Sequence, residues 1–383
     1  GTVINHAAPR PLWTEHFLTA TAKGPSCDLA AAASLFAAVA GRLAGGAIET
    51  LQDKVYGTPQ AQTALLAARR AAWAAAGLNP DLPVTYVAYE LLGDGDFAGQ
   101  QVWGLTPTEG SQVSVSTVSA GAQPGRCLSG PGLRALHLAA VDGLPAVNES
   151  EQAEVMFRRT NAALADQDLN YRQVVRTWIY FARLLDWYDD FNRVRTAHHQ
   201  REQVATDAMP ASTGIQGRSG DRACFMDVLA VQVAENGPLQ VTPIGRTARQ
   251  DGAFTYGSAF SRGMIWQAGS GRTVFVSGTA SINGAGDSVY VGNTEAQTFE
   301  TLMAIGGVLA EAGGRLDEIR MATVFCKDVQ AYEAFQQVSE LLGVARFPAI
   351  FVIGDVCRDD LLIEIESVCT CRAPVDGHDE DER

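Results

Sequence analysis

Apolar residues at Phe299, Leu302, Met303, Ile305 and Leu309 recur every three or four positions, so one face is hydrophobic and a helix is predicted, stopped by Gly313-Gly314. A strand ending near Val291 is expected before this helix. After it come a strand at 319–325, a helix at 331–342 and strands at 349–352 and 361–368. The order is β-α-β-α-β-β, which places helices on one side of a mixed sheet. The same order is expected upstream: strand 135–141, helix 151–165, strand 174–181, helix 187–198 and a closing strand at 224–233.

The two stretches read as copies. Phe275-Val-Ser-Gly-Thr279, Gln297, Leu302, Leu309, Ile319 and Val324-Phe325 match Leu136-His-Leu-Ala-Ala140, Gln152, Phe157, Leu164, Val174 and Ile179-Tyr180. Gln297 to Phe325 and Gln152 to Tyr180 both span 28 residues. A third, more degenerate copy is expected earlier, with helices at 28–41 and 63–76, a strand at 47–56, and closing strands at 83–88 and 100–105. The expected units are therefore 1–125, 126–240 and 271–372, with a connector at 241–270 and a disordered acidic tail at 373–383. Repeated α/β units assemble with pockets at their seams.

With 383 residues, 46% hydrophobic and 19% charged, the chain is large enough for two or three compact domains. Its formal charge of -14 and lack of a Lys/Arg cluster argue against a nucleic-acid partner. No apolar run reaches membrane-spanning length and no leader pattern opens the chain, so a cytoplasmic protein without a membrane partner is expected. Seven cysteines, an odd number widely spread, fit reduced thiols. Cys369-x-Cys371 with Cys357 and His378 matches no usual zinc spacing, so no metal is expected. Neither a phosphate-cradling Lys-Ser/Thr loop nor a dinucleotide fingerprint is present, so no cofactor is expected.

The repeated unit resembles the YjgF/Rid (reactive intermediate deaminase) family through Phe275-Val-Ser-Gly-Thr279, Glu295-Ala-Gln297, the Ala312-Gly-Gly314 stop and Leu361-Leu-Ile-Glu-Ile-Glu366. The resemblance implies an α+β, chorismate-mutase-like unit that forms trimers with a pocket at each interface. Three units in one chain would make an intramolecular pseudo-trimer, as a monomer or a small homo-oligomer. A narrower likeness is to chorismatases, through Arg176-Thr-Trp-Ile-Tyr180, Met209-Pro-Ala-Ser-Thr-Gly214 and Arg358-Asp-Asp-Leu-Leu-Ile-Glu364. It implies Glu364 as general acid, with Gly278 and Ile353 where such enzymes tune their outcome. The chain departs after Tyr256-Gly257, where Ser258-Ala259-Phe260 replaces a segment whose arginine holds the substrate carboxylate. Arg262, Arg218 or Arg272 would have to compensate. The imine-deaminase carboxylate arginine is also missing, with Ala349 and Ser212 in the corresponding places.

Glu364 and Glu366 sit two apart in a strand and so project from one face. In an enclosed seam, burial would raise a carboxyl pKa and suit it to proton transfer near neutrality. The alternative is a pair of solvent-facing or ion-paired carboxylates. Tyr180, Trp178 and Tyr256 would wall a pocket for an aromatic or unsaturated small molecule, and Ser212 and Thr213 offer hydroxyls to a carboxylate or carbonyl oxygen. Each of these also reads as core or turn. Cys326 and Cys357 have no histidine nearby in sequence, and His198-His199 read as a polar helix end. The expected activity is acid/base cyclisation, condensation or elimination on a small unsaturated carbonyl compound in aromatic secondary metabolism. Chorismate cleavage, imine hydrolysis and metabolite binding without turnover are the alternatives.

Overall fold

The structure, a computed structural model, describes residues 1–120, 123–253, 259–344 and 347–373. The acidic tail lies outside these residues, as does Tyr256. Three mixed sheets each follow the predicted order. The first runs β1 (Thr2–Pro9), β2 (Trp13–Thr21), α1 (Leu29–Gly45), β3 (Glu49–Gly57), α2 (Gln62–Ala75), β4 (Thr85–Ala88) and β5 (Phe97–Pro107). The second runs β6 (Ser114–Ala120), β7 (Gln123–Gly130), β8 (Leu133–Asp142), α3 (Glu149–Ala165), β9 (Val174–Phe181), α4 (Leu184–Arg201), β10 (Ala211–Gln216) and β11 (Cys224–Val233). The third runs β12 (Gln240–Ile244), β13 (Gly263–Ala268), β14 (Gly271–Ala280), α5 (Thr294–Glu311), β15 (Ile319–Cys326), α6 (Val329–Leu341), β16 (Ala349–Ile353) and β17 (Ile363–Arg372).

Local chemistry sets the helix starts. Asp28, Asn148, Asn293 and Asp328 each accept from the backbone N–H three residues on, which satisfies a donor that the first turn leaves open. The repeated glutamines have a structural cause. Gln297 accepts from Leu362 N–H (2.8 Å) and donates to Asp360 C=O (2.8 Å), while Gln152 accepts from Ala223 N–H (2.9 Å). Each ties the start of its helix to the entry of the closing strand.

The order of each sheet places the closing strand at its centre: β1-β2-β5-β3-β4, β10-β9-β11-β8-β7-β6 and β12-β13-β14-β17-β15-β16. Helix pairs cover the outer faces, giving each unit its own core. The inner faces share one further core, with Trp103, Tyr180, Phe225, Phe275 and Phe325 drawn from all three units. The result is an intramolecular pseudo-trimer.

Several expectations are corrected. Residues 241–270 are not a plain connector, because β12 and β13 extend the third sheet, as the β6-β7 hairpin extends the second across the expected 125/126 boundary. The strand expected to end near Val291 is instead β14, ending at Ala280, and a turn closed by Asn283 accepting from Asp287 N–H follows it. Strands β1 and β2 were not foreseen. Pairing registers place His137–Val141, one residue later than expected, in the position of Phe275–Thr279. His198 and His199 are buried, His198 stacking on Phe157 at 4.5 Å, because the last turn of α4 packs on α3.

If the repeated glutamine is a staple, Gln297→Ala strands a buried N–H and C=O. Urea unfolding should show a loss of about 2–3 kcal/mol with little change in m.

Candidate active site

Pairing registers superpose the units: Tyr56, Tyr180 and Phe325 face Gly99, Phe225 and Glu364 across the central strand pairs. One seam of three therefore carries a carboxyl at this level, the seam between the second and third units. There Glu364 is 4% exposed, beside a cavity of about 300 Å³. Its walls include Tyr188, Asn192 and Arg195 from α4, Ser212 and Gly214 from β10, Ala280 from β14, and Phe260, Arg262, Cys357 and Arg358 from loops.

The carboxyl is seated by a chain of polar contacts. Arg176, buried in β9, donates through Nη2 to Glu366 Oε2 (3.0 Å) and Thr213 Oγ1 (2.6 Å). Thr213 also accepts from Gly278 N–H at 3.0 Å. Ser212 N–H donates to Ser277 Oγ (2.9 Å), so β10 is stitched to β14 at two successive residues. Glu364 lies directly above Gly278. A Cβ added there would overlap Oε1 and sit 3.0 Å from the carboxyl carbon, so only glycine leaves this space open.

Burial pushes the Glu364 pKa from 4.5 up to about 8, with the Glu366 charge adding to the rise and Arg176 opposing it. The group is held protonated at neutral pH. Three guanidinium groups line the same cavity. Arg262 donates to the Asp251 carbonyl (3.0 and 2.8 Å), Arg195 to Asn192 (2.7 Å), and Arg358 to Ser288 (3.4 Å). Against them, among the described lining residues, stands one acidic side chain besides Glu364, that of Asp189. Burial raises the Cys357 thiol to about 12, which keeps it neutral.

Of the residues expected at the site, Glu364, Ser212 and Arg262 line the cavity and Gly278 touches the acid. Thr213 points instead into the seam and closes it. Glu366 faces the molecular axis, with Lys54 at 3.9 Å and Thr323 at 3.3 Å, because it lies one strand repeat deeper than Glu364. Tyr180 is buried in the shared core, stacked on Phe225 at 5.0 Å. Ile353 ends β16 and bridges to Glu90 in a separate cleft that also contains Arg218. Arg272 is turned to Gln267 and the Ala312 carbonyl. The sequence reading missed Tyr188, Asn192 and Arg195, whose i, i+4, i+7 spacing marks one polar face of α4. Arg358 is named there only as part of the closing-strand motif, and Cys357 is weighed as a nucleophile or a metal ligand rather than as a cavity wall.

The family model described as endoribonuclease L-PSP matches residues 256–371. The 3-aminoacrylate deaminase RutC of Acinetobacter baylyi is 34% identical over 96 residues, 25% of this chain and 76% of that protein. The chain belongs to the YjgF/Rid family. Within the family it stands in the chorismatase-like branch. A 3-hydroxybenzoate synthase of Streptomyces hygroscopicus is 26% identical over 228 residues, 53% of this chain, and the match spans 65% of that protein's length. A crystal structure of chorismatase shares the fold at TM-score 0.63 and 16% identity, over 96% of this Rid chain and 99% of that one.

A carboxyl whose folded pKa exceeds its unfolded value costs the fold nothing below pH 4.5 and an increasing amount as pH rises to about 8. Thermal unfolding of Glu364→Gln should match wild type near pH 4 and become progressively more stable than it between pH 4.5 and 8. A constant offset across that range would contradict the burial of the acid.

Proposed function

We propose that this protein is a chorismatase-type enzyme that acts on a small, unsaturated, anionic cyclic carboxylate, with Glu364 as the proton donor. The observation that carries this reading is the pairing of a carboxyl held neutral to about pH 8 with three guanidinium groups in one cavity. A protonated acid can deliver a proton to the terminal carbon of an enol ether, and water then adds to the oxocarbenium carbon. The resulting hemiketal breaks its C–O bond to the ring, releasing the side chain as a 2-oxo acid and leaving a hydroxyl on the ring. The arginines supply the charge complement that a dicarboxylate needs to leave water. The likeness to a 3-hydroxybenzoate synthase and the chorismatase fold support the same class.

The expected preference for a cyclase over chorismate cleavage rested on the absent arginine after Tyr256-Gly257. Arg195, Arg262 and Arg358 remove that premise, because they reach the cavity from other segments. Chorismate is therefore the first substrate to test. Its cleavage would give pyruvate with a hydroxybenzoate or a dihydroxycyclohexadienoate.

Purified protein mixed with chorismate should release pyruvate, measured with a coupled lactate dehydrogenase assay. Glu364→Gln should lower kcat at least about a hundredfold. Arg262→Met and Arg195→Met should raise KM by about tenfold each, as expected for one charge-assisted contact. For the wild type kcat should fall as pH rises through about 8, where the donor loses its proton. Folded protein that leaves chorismate unchanged overturns the substrate assignment.

A further inference from the structure

The seam between the third and first units holds a second cavity, of about 260 Å³, at the pseudo-symmetric position of the first. The correspondence follows from strand registers. Ala349 and Phe351 of β16 stand where β10 has Ser212 and Gly214. Thr21 stands for Ala280, and Gly99 for Glu364. On α6, Tyr332, Gln336 and Ser339 repeat the spacing of Tyr188, Asn192 and Arg195 on α4, and both triads face their cavities. The acid, the arginine and the serine of the first cavity have thus been exchanged for glycine, serine and alanine.

The exchange has not filled the space. At the third seam the Glu364 position is taken by Phe225, which is fully buried and stacks on Tyr180 of the neighbouring strand. In the second cavity the aromatic groups form a wall instead. Phe351 meets Tyr332 at 5.0 Å and Phe335 at 5.2 Å, both edge-on, and Phe347 packs on Phe335 at 5.9 Å. The Ser339 hydroxyl is 7% exposed at residue level and has no hydrogen-bond partner among the described residues. Lys23, exposed, lines the opening. A buried hydroxyl without a partner is costly unless a ligand or water completes it. A cavity of about 150 Å³ accommodates benzene, so this one has room for a single substituted ring.

We propose that this seam is a non-catalytic binding site for a small aromatic carboxylate. The ring lies against Tyr332 and Phe351, a ring hydroxyl or water reaches Ser339, and the carboxylate is held at the mouth by Lys23. With glycine at the acid position the site has no proton to give, so its ligand is bound and released unchanged. The assignment rests on this cavity's own lining and does not depend on what the Glu364 cavity turns over.

Crystals of the full chain soaked in 4-bromobenzoate should show anomalous bromine density inside this cavity, against the wall formed by Tyr332 and Phe351. Bromine confined to the Glu364 cavity, or absent, overturns the proposal. In solution, calorimetric titration with benzoate should lose one site in Ala349→Trp, which plugs the cavity. Lys23→Glu, at an exposed position that does not threaten folding, should weaken that site about tenfold and leave phenol binding unchanged. Titrations indistinguishable from wild type in both variants would refute the site. Failure of chorismate turnover would leave these readouts intact, so the two proposals fail separately.

Discussion

The molecule turns on one buried guanidinium. Arg176 crosses from the second unit to Glu366 of the third and, with the same nitrogen, holds Thr213. Burial lowers the Arg176 pKa to about 10, and the Glu366 charge offsets part of that penalty, so the guanidinium keeps its charge in a dry seam. Thr213 in turn receives Gly278 N–H, and Gly278 is the floor on which the Glu364 carboxyl rests. The position of the acid is thus set by contacts that never enter the cavity. Removing one partner would leave the other charge buried alone, which is why the network is all or nothing.

Around the axis the same level carries a different group from each unit. Lys54, Trp178 and Thr323 are equivalent, as are Gln101, Asp227 and Glu366. Lys54 lies 4.2 Å above the Trp178 ring and 3.9 Å from Glu366, and its pKa falls to about 8 because burial outweighs the neighbouring carboxylates. Asp227 is bound by Thr85 of the first unit at 2.6 Å. Because no two units offer the same side chains here, each seam accepts one neighbour.

Much of this architecture was legible because repetition is a signal that survives divergence. Gln152 and Gln297 stand out as they do because each must satisfy backbone groups at the entry of a closing strand. The opening strands β1 and β2 were not visible, since β1 is an edge whose partly exposed residues carry little alternation. The segment after Ala280 looked like strand from its apolar residues, but Asn283 and Asp287 close a turn that interrupts pairing. At the site, the strand motif around Glu364 identified the acid. The arginines could not be assembled from sequence, because Arg195, Arg262 and Arg358 come from a helix, a strand entry and a loop far apart in the chain. Tyr180, Thr213 and Glu366 belong to a neighbouring motif yet face the core, the seam and the axis.

Joining three units in one polypeptide has a genetic consequence. In an assembly of identical copies, any codon change appears at every interface simultaneously, so an improvement at one is also imposed on the others. Here Glu364, Gly99 and Phe225 are encoded separately. Each interface is free to acquire its own trade, as long as the frame that the other two provide still stands.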